Sequence, residues 1–572
     1  MLKYVKALVL LTLFQIALYV TAQETQTSMP TTHPSSVRTT KASNMASTYV
    51  ALDSWVYPAF DRLSALGAVQ TAFASLRPWT RLDCARLVSE AGEIQVRDGF
   101  DDEATEIYAA LRTEFLPELA NIDDGRNLDA QIESVYIRTD GIMGKSLNDG
   151  FHFAQTEVNN FGRPYGEGLN SYDGSSLSAV DGRVAAYVRF EFQRAGTAIS
   201  VPPAAQAAIA TADFTQTAQL GPAADLARGR LLDAYASFGF DNYQFSIGKQ
   251  SMWWGPGKGG PLLWSDNAEP ITMARLDRIR PLEIPIVSRF LGPIRGQFFF
   301  GRLEGQQFVH SDNQTTGEPG VAYPDQPFIH GQKLSFKPSE NFEFSVSRTV
   351  IFGGPEFPVT FSSFWRSFAS TSTENGKTDP GDRRAAFDAS YRIPGLRDRL
   401  TVYVDTFTDD EFFPLAYPRH SAWSPGFYLP QLPHLPKLDF RAEGFLSPQN
   451  LLFPGFYYFN VRYLSGYTNN RQLIGSWIGR EGDGLQLWSS WWFSPRSSVQ
   501  ASYRSQNASS QFLRGGDLHD MTLASDTPLG RDWSIHLSGQ YERWRFPLLF
   551  TNPSSNFTVS AQLTWSPASE RH

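Results

Sequence analysis

Cysteine is nearly absent: Cys84 stands alone in a chain of 572 residues. A lone thiol excludes an intramolecular disulfide and, without other ligands, a cysteine-based zinc site. It reads as a small half-buried helix residue. Long hydrophobic runs are missing too. Past the N-terminus no segment approaches roughly eighteen uninterrupted apolar residues, which excludes spanning a membrane by helices there. Basic charge is in deficit, with 50 Lys and Arg against 58 Asp and Glu. That argues against a nucleic-acid partner, which needs a basic patch. No H-E-x-x-H occurs and the nine His are scattered, so neither a metal nor metal-dependent hydrolysis has a constellation to rest on. Gly475-Ser476-Trp477-Ile478-Gly479 puts its serine in the wrong place for a nucleophile elbow. Gly255-Pro256-Gly257-Lys258-Gly259-Gly260 satisfies G-x-G-x-x-G, but Pro261-Leu262-Leu263-Trp264 offers no helical face after it, as a dinucleotide site requires. The chain therefore reads as a protein without cofactor and not as an enzyme; a glycan-modifying activity is the weakest alternative.

Aromatic and turn residues are abundant: 43 Phe, 22 Tyr, 14 Trp, 45 Gly and 36 Pro. With a mean hydropathy of −0.30, this composition suits strands with one apolar face. The N-terminus has Lys3 and Lys6, an apolar run from Ala7 to Val20 broken only by Thr12 and Gln15, and the small-residue site Val20-Thr21-Ala22. That is the layout of a secretory signal peptide over residues 1–22, with a single anchor helix as the competing reading. Gln23 to Thr48 is rich in Ser, Thr and Pro and reads as a disordered linker, placed at 23–50.

Residues 51–126 read as a small helical domain. Trp55, Ala59, Leu63 and Leu66 recur at helical spacing, and Gly67 sits where a C-terminal cap would. Thr80 to Asp83 forms a capping start, followed by Cys84, Leu87, Val88 and Ala91 on one face. A third helix begins near Asp101 and carries Ile107, Leu111, Phe115 and Leu119. A core of about 70 residues is marginal alone, so this domain is expected to dock on something.

From about Asp129 to the end, in a region assigned to 127–572, the period becomes two. Val188, Phe190 and Phe192 share one face while Tyr187, Arg189 and Glu191 share the other. Phe342 to Ser347, Leu400 to Asp405, Trp533 to Tyr541 and Phe557 to Trp565 repeat the pattern. The runs continue for roughly 430 residues with no clear helical interruption, more than one sandwich needs. In lipid every backbone group must pair, so such a chain must close. At roughly 24 residues per strand and loop, the region holds about 18 strands. The fold class is a mainly β, large closed antiparallel outer-membrane barrel with a small N-terminal helical domain. Trp491, Trp492 and Phe493 read as an aromatic girdle at the lipid interface.

The most specific block runs from Gly248-Lys249-Gln250-Ser251-Met252-Trp253-Trp254-Gly255-Pro256-Gly257 to Leu262-Leu263-Trp264-Ser265-Asp266-Asn267-Ala268-Glu269-Pro270. It resembles the signature of the Wzi family of capsule-assembly proteins. Segments 331–338, 381–384, 409–410 and 467–471 resemble the family in the same order, as do Phe60 to Gly67 and Pro78 to Arg81. The resemblance covers most of the chain from near Leu52. It implies an 18-stranded outer-membrane barrel of a Gram-negative-type bacterium, with a helical bundle at the periplasmic end and a lumen occluded by that bundle and by inward loops. It also implies a lectin that retains capsular or other surface polysaccharide, surrounded by outer-membrane lipid and acting as a monomer, with polysaccharide export machinery as a further partner. The linker is longer than the family leads one to expect, and the chain runs past Trp565 to His572 without a terminal aromatic. A porin-like diffusion channel or transporter is the alternative function.

Sugar rings present apolar faces that indole rings can cover. The candidate polysaccharide-binding residues are Trp253, Trp254, Trp264, Asp266, Asn267, Asp409, Asp410 and Trp423, with a structural turn at Gly255, Pro256 and Gly257 and positive φ expected at both glycines. For each Trp the competing role is the girdle. For Asp409-Asp410-Glu411 the favoured reading is a solvated acidic loop. The Trp253 to Pro270 segment has two open roles, a plug inside the barrel or part of the glycan site.

Overall fold

The computed structural model describes residues 43–567 apart from 125–126, 223–225, 312–313, 370–379, 394–395, 397–399, 410, 412 and 448–451. The signal peptide at 1–22 and the linker as far as residue 42 lie outside the described residues.

Eighteen strands form one closed antiparallel sheet. They are β1 (Asp129–Gly144), β2 (Gly168–Asp181), β3 (Val184–Arg194), β4 (Ala227–Phe240), β5 (Tyr243–Gln250), β6 (Ile271–Arg278), β7 (Ile294–Arg302), β8 (Phe328–Ser339) and β9 (Phe342–Phe352) in the first half. The second half comprises β10 (Asp382–Arg392), β11 (Thr401–Asp409), β12 (Ala422–Leu429), β13 (Phe440–Leu446), β14 (Gly482–Ser494), β15 (Ser497–Ala508), β16 (Gly516–Leu529), β17 (Trp533–Arg545) and β18 (Ser554–Trp565). Each pairs with the next, and β18 returns to β1, with Val135 opposite Trp565 and Gly144 opposite Asn556. Closure leaves no unpaired edge, which is what lipid demands.

The period-two reading is realised on β3. Val188, Phe190 and Phe192 are exposed on the outer wall, while Tyr187, Arg189 and Glu191 are buried facing the lumen. On β14 the same alternation divides the expected girdle. Trp491 and Phe493 stand on the outer wall, but Trp492 points inward, where its Nε1 donates to Asp439 at 2.9 Å and Arg62 stacks over its ring.

Connections are short at one end and long at the other. In outer-membrane barrels these are the periplasmic and extracellular ends. Helices α1 (Val56–Leu66), α2 (Arg81–Asp98), α3 (Asp102–Glu114) and α4 (Leu116–Asp124) sit at the short-turn end. Their boundaries follow the capping residues. Gly67 adopts φ 90° and closes α1 onto the carbonyls of Leu63 and Ser64. The Thr80 hydroxyl accepts from Asp83 N at 3.1 Å, and Asp101 from Ala104 N at 2.7 Å. Phe60, Leu63, Trp79, Cys84, Leu87, Ile107, Leu111 and Phe115 form the bundle core. Burial pushes the Cys84 thiol well above its ordinary pKa, so this cysteine packs rather than reacts. The bundle docks on the wall: Asp83 pairs with Arg295 at 2.6 Å, Arg392 donates to Ser64 O at 2.6 Å, and Ser75 donates to Glu343 at 2.6 Å.

Two expectations are corrected. Residues 43–50, read as the end of a disordered linker, run along the inner wall. Ser47 N donates to Gln244 Oε1 at 3.1 Å, Tyr49 N donates to the Tyr235 hydroxyl at 2.8 Å, and Ala46 to Val50 are buried. Low apolar content did not prevent order because the wall supplies the backbone's partners. The strand region also contains helices, at α5 (Pro203–Ala212), α6 (Val287–Leu291) and α7 (Phe361–Ala369). All three lie in connections, where the pleat no longer dictates the period.

Leu111 has no exposed surface, so Leu111→Asp places an unpaired carboxylate in the bundle core, at a cost of about 3 kcal/mol or more. The expected outcome is a lower melting temperature by circular dichroism and less of the compact, heat-modifiable band on gels. An unchanged melt would show that the bundle core tolerates water.

Candidate functional site

The connection between β5 and β6, residues 251–270, folds into the lumen and is buried almost throughout. Its anchors are charged and amide groups of the wall. Ser251 N donates to Asp233 at 2.8 Å, Lys258 N and Gly259 N donate to the two Glu443 oxygens at 2.6 and 2.8 Å, and Leu262 N donates to Asp405 at 2.7 Å. The segment meets the helical bundle directly: Trp253 and Arg77 exchange both backbone hydrogen bonds at 3.0 Å. The lumen is thus filled from both ends, and the two fillings are joined.

This geometry settles where most of the candidate residues sit. Trp254 is 1 % exposed; its Nε1 hydrogen-bonds Gln297, and its ring packs on Trp264 and Phe299. Trp264 lies 4.7 Å edge-on from Phe299. Both belong to a core shared with Leu262, Tyr458, Tyr467 and Trp477. Asn267 donates to Gln155 at 2.9 Å. Trp253 and Asp266 are also buried, and desolvation raises the Asp266 pKa to about 8. These aromatics are packed among protein side chains, and the segment fills the lumen like a plug. Asp409 is not in a solvated loop. It ends β11 facing inward, 3.3 Å from Arg384 Nη2. Asp410 lies outside the described residues. Trp423 alternates to the outer wall of β12, half-buried, with its Nε1 on Pro418 O at 2.9 Å. Neither Trp423 nor Asp409 joins the plug residues in a common site.

The Gly-Pro-Gly turn also needs correction. Positive φ occurs at the flanking Gly248 (136°) and Gly260 (114°), whereas Gly255 and Gly257 are absent from that region. Their role is spatial. A Cβ at Gly257 would lie 3.2 Å from Glu443 Oε2, and one at Gly255 would lie 2.8 Å from Pro261 Cβ.

At the long-loop end two polar clusters went unread in the sequence. In the first, His152 lies between Asp149 and Asp213, 2.8 Å from each, and Asp213 also pairs with Arg480 at 2.6 Å. This joins three connections, 145–167, 195–226 and 447–481. Burial alone disfavours the charged imidazole, but the two carboxylates outweigh it and hold the His152 pKa at about 9. Burial likewise works to raise Asp213, yet His152 and Arg480 outweigh it and hold its pKa below the ordinary value. In the second cluster, Glu269 pairs with Arg230 and Lys249 and accepts from Asn470, and Asn469 Oδ1 accepts from Glu304 N at 2.8 Å. Arg228 stands half-exposed beside it on β4, its Nε 3.3 Å from Gln193. Asn470 and Arg471, both at positive φ (48° and 65°), turn the tight hairpin that carries this cluster. Arg228-x-Arg230 at lumen-facing parity and the Asn-Asn-Arg turn were the available signals.

Comparison with known proteins places this geometry. Residues 138–559 match the sequence model of the family described as capsule assembly protein Wzi. An uncharacterized 55.8 kDa protein in the cps region of Klebsiella pneumoniae is 29% identical over 182 residues. That alignment covers 31% of this chain and 33% of the relative, so the match spans a third of its length. A solved structure of Wzi from Escherichia coli, described as a carbohydrate-binding β-barrel of the outer membrane involved in group 1 capsule assembly, superposes with TM-score 0.65 at 16% identity. It covers 91% of this chain and 99% of that one, and it shares the fold.

Two outcomes follow for the plug. Trp254→Ala empties a packed position and is expected to cost about 3–5 kcal/mol, read as easier thermal conversion of the compact band; an unaltered transition would mean the core is not continuous there. The His152 contribution is pH-dependent. A raised folded pKa gives stability that is complete below the ordinary 6.5 and lost as pH rises through about 9. The depressed Asp213 contributes above about 3.8 and is lost as pH falls further. Proteolysis of the long connections should therefore be slowest between these limits and accelerate toward pH 9, and His152→Gln should remove the alkaline limb. A flat profile in the native protein would refute the assignment.

Proposed function

The chain belongs to the Wzi capsule-assembly family, and from that premise we propose that it is an outer-membrane lectin that holds exported capsular or related surface polysaccharide at the long-loop, extracellular face. It works by binding rather than turnover, as a monomer, after export by a cleaved signal peptide. Residues 51–126 serve as its periplasmic domain, and export machinery is a transient partner.

The observation that carries this reading is the joined filling of the lumen through the Arg77–Trp253 backbone pair. A diffusion channel needs a continuous water path, and here core residues such as Trp254, Trp477 and Tyr467 occupy it. What remains for function is the outer face. There Arg228, Asn470 and Arg471 stand partly exposed around Glu269 and Glu304, offering donors for sugar hydroxyls and carboxylates. The buried tryptophans of the plug shape this face from beneath without touching the glycan.

Two measurements test the proposal. Reconstituted into planar bilayers, the protein is expected to give no steady large conductance; a persistent open current would restore the porin reading. Arg228→Ala combined with Arg471→Ala should leave the barrel folded and weaken binding of extracted surface polysaccharide about tenfold, the scale of one charge-assisted hydrogen bond of about 1.5 kcal/mol. Unchanged affinity would move the site elsewhere on the long connections.

A further inference from the structure

One polar patch of the outer wall is covered by protein. On β8 the outward positions are Phe328, His330, Gln332, Leu334 and Phe336, and on β9 they are Phe344, Val346, Arg348, Val350 and Phe352. Toward the long-loop ends the apolar series gives way to the polar groups His330, Gln332 and Arg348. His330 and Val350 nevertheless have 0 % exposure. Helix α7 covers His330 from outside.

The fit is specific. Thr360 and Ser363 cap the helix reciprocally: Ser363 N donates to the Thr360 hydroxyl at 3.1 Å, and Thr360 N donates to the Ser363 hydroxyl at 2.8 Å. Phe364 and Phe368 face the wall and meet Phe300, Phe352 and Phe298 at centroid distances of 5.7, 6.1 and 6.3 Å. His330 Nε2 lies 3.1 Å from the Ser367 hydroxyl. The Arg348 guanidinium donates to the carbonyls of Ser367 and Phe368 at 3.2 and 3.3 Å, placing a cation at the negative end of the helix dipole. The flank of the same apolar face carries Phe361, 83 % exposed, and Trp365, 46 % exposed, the latter stacked on Phe368 at 6.0 Å. These are four residues apart and share one stripe.

We propose that α7 is a lipid-contacting interfacial helix. It lies on the outer wall of the barrel at the boundary of the outer leaflet, with Phe361 and Trp365 inserted among acyl chains, and it seals His330 and Arg348 from hydrocarbon. The occupant of the exposed stripe is lipid because the stripe continues the barrel's own apolar belt. The helix packs on Phe298, Phe300 and Phe352, outward residues of the strands themselves. A connection folded outward over the wall would otherwise leave Phe361 and much of Trp365 exposed to water. An amphipathic helix in this position gains by burying its apolar face at the headgroup boundary, and polar groups directed at lipid without cover are costly.

This inference rests on the outer-membrane reading, and the test separates the two. Cys84 is fully buried, so single cysteines introduced as Phe361→Cys, Trp365→Cys, Leu537→Cys and Glu318→Cys in the full-length protein can be labelled with the fluorophore NBD. The labelled proteins are reconstituted in phosphatidylcholine vesicles whose acyl chains carry bromine. Leu537 is an outward residue of β17 and Glu318 an exposed residue of a long connection. Positions 361 and 365 are expected to lose about half their emission to the brominated lipid and to resist aqueous iodide, as position 537 does. Position 318 is expected to respond to iodide alone. Quenching by lipid at 537 but by iodide at 361 and 365 would overturn the interfacial helix and leave the barrel in its membrane. Iodide quenching at 537 as well would remove the membrane reading itself.

Discussion

Eighteen strands enclose more space than wall side chains can fill. An eight-stranded barrel closes over its own interior, whereas sixteen to eighteen strands leave an aqueous channel unless something else occupies it. That geometric fact governs this molecule. The ladder must close because lipid leaves no backbone group unpaired, and having closed at this number it must either conduct or be plugged. Here the filling comes from both directions. The bundle and residues 43–50 enter from the short-turn end, and residues 251–270 with parts of 145–167 and 447–481 enter from the other. They meet at Arg77 and Trp253.

The lumen wall carries the polar parity of every strand, so the filling is held largely by charge. Arg163 pairs with Glu191 at 2.6 Å, Arg275 with Asp277 at 2.7 Å, and Arg504 with Asp520 at 2.6 Å, all buried. Such pairs add little net stability, since desolvation offsets much of their attraction, but breaking one strands a buried charge. Their value lies in register. Glu443 accepts two consecutive plug amides only if Lys258 and Gly259 stand at one height in the barrel. This also explains the glycines. Gly257 is needed where the backbone passes a carboxylate too closely for a side chain. Read locally, Gly-Pro-Gly suggests a positive-φ turn; the actual constraint is a partner nearly two hundred residues away.

That contrast marks what was legible. Strand faces and helix caps are set by neighbours within a few residues, so Val188, Phe190 and Phe192, the Thr80 cap and Gly67 could be read directly. Strand-and-loop spacing and the Wzi resemblance both pointed to about 18 strands, and the resemblance alone implied the occluded lumen. The candidate site was read less well, because whether Trp254 faces sugar, lipid or protein depends on which way a long connection folds, and its composition does not say. Trp492 shows the same limit, since girdle composition cannot reveal inward parity against Arg62. Helix α7 went unread although Phe361, Phe364, Trp365 and Phe368 have helical spacing, because nine residues inside a region of period two make too short a run to stand out.

The joined plug also orders assembly. The contacts that fix it are almost all non-local: Trp253 to Arg77, Leu262 to Asp405, Asn267 to Gln155 and Arg480 to Asp213. Non-local contacts repay their loop-closure entropy only after the intervening chain is in place. The plug therefore cannot be native before the strands that present Asp405 and Glu443 have paired. The bundle differs, since its caps and core lie within residues 50–122. Its contacts are local, and Arg295, Glu343 and Arg392 of the wall lock it in place as β7, β9 and β10 close. A barrel built this way presents its outer face only when the interior is complete. The long connections are then ordered together with the lumen filling, because Glu269 of the plug segment accepts from Asn470 of the hairpin, and Asp213 joins His152 to Arg480.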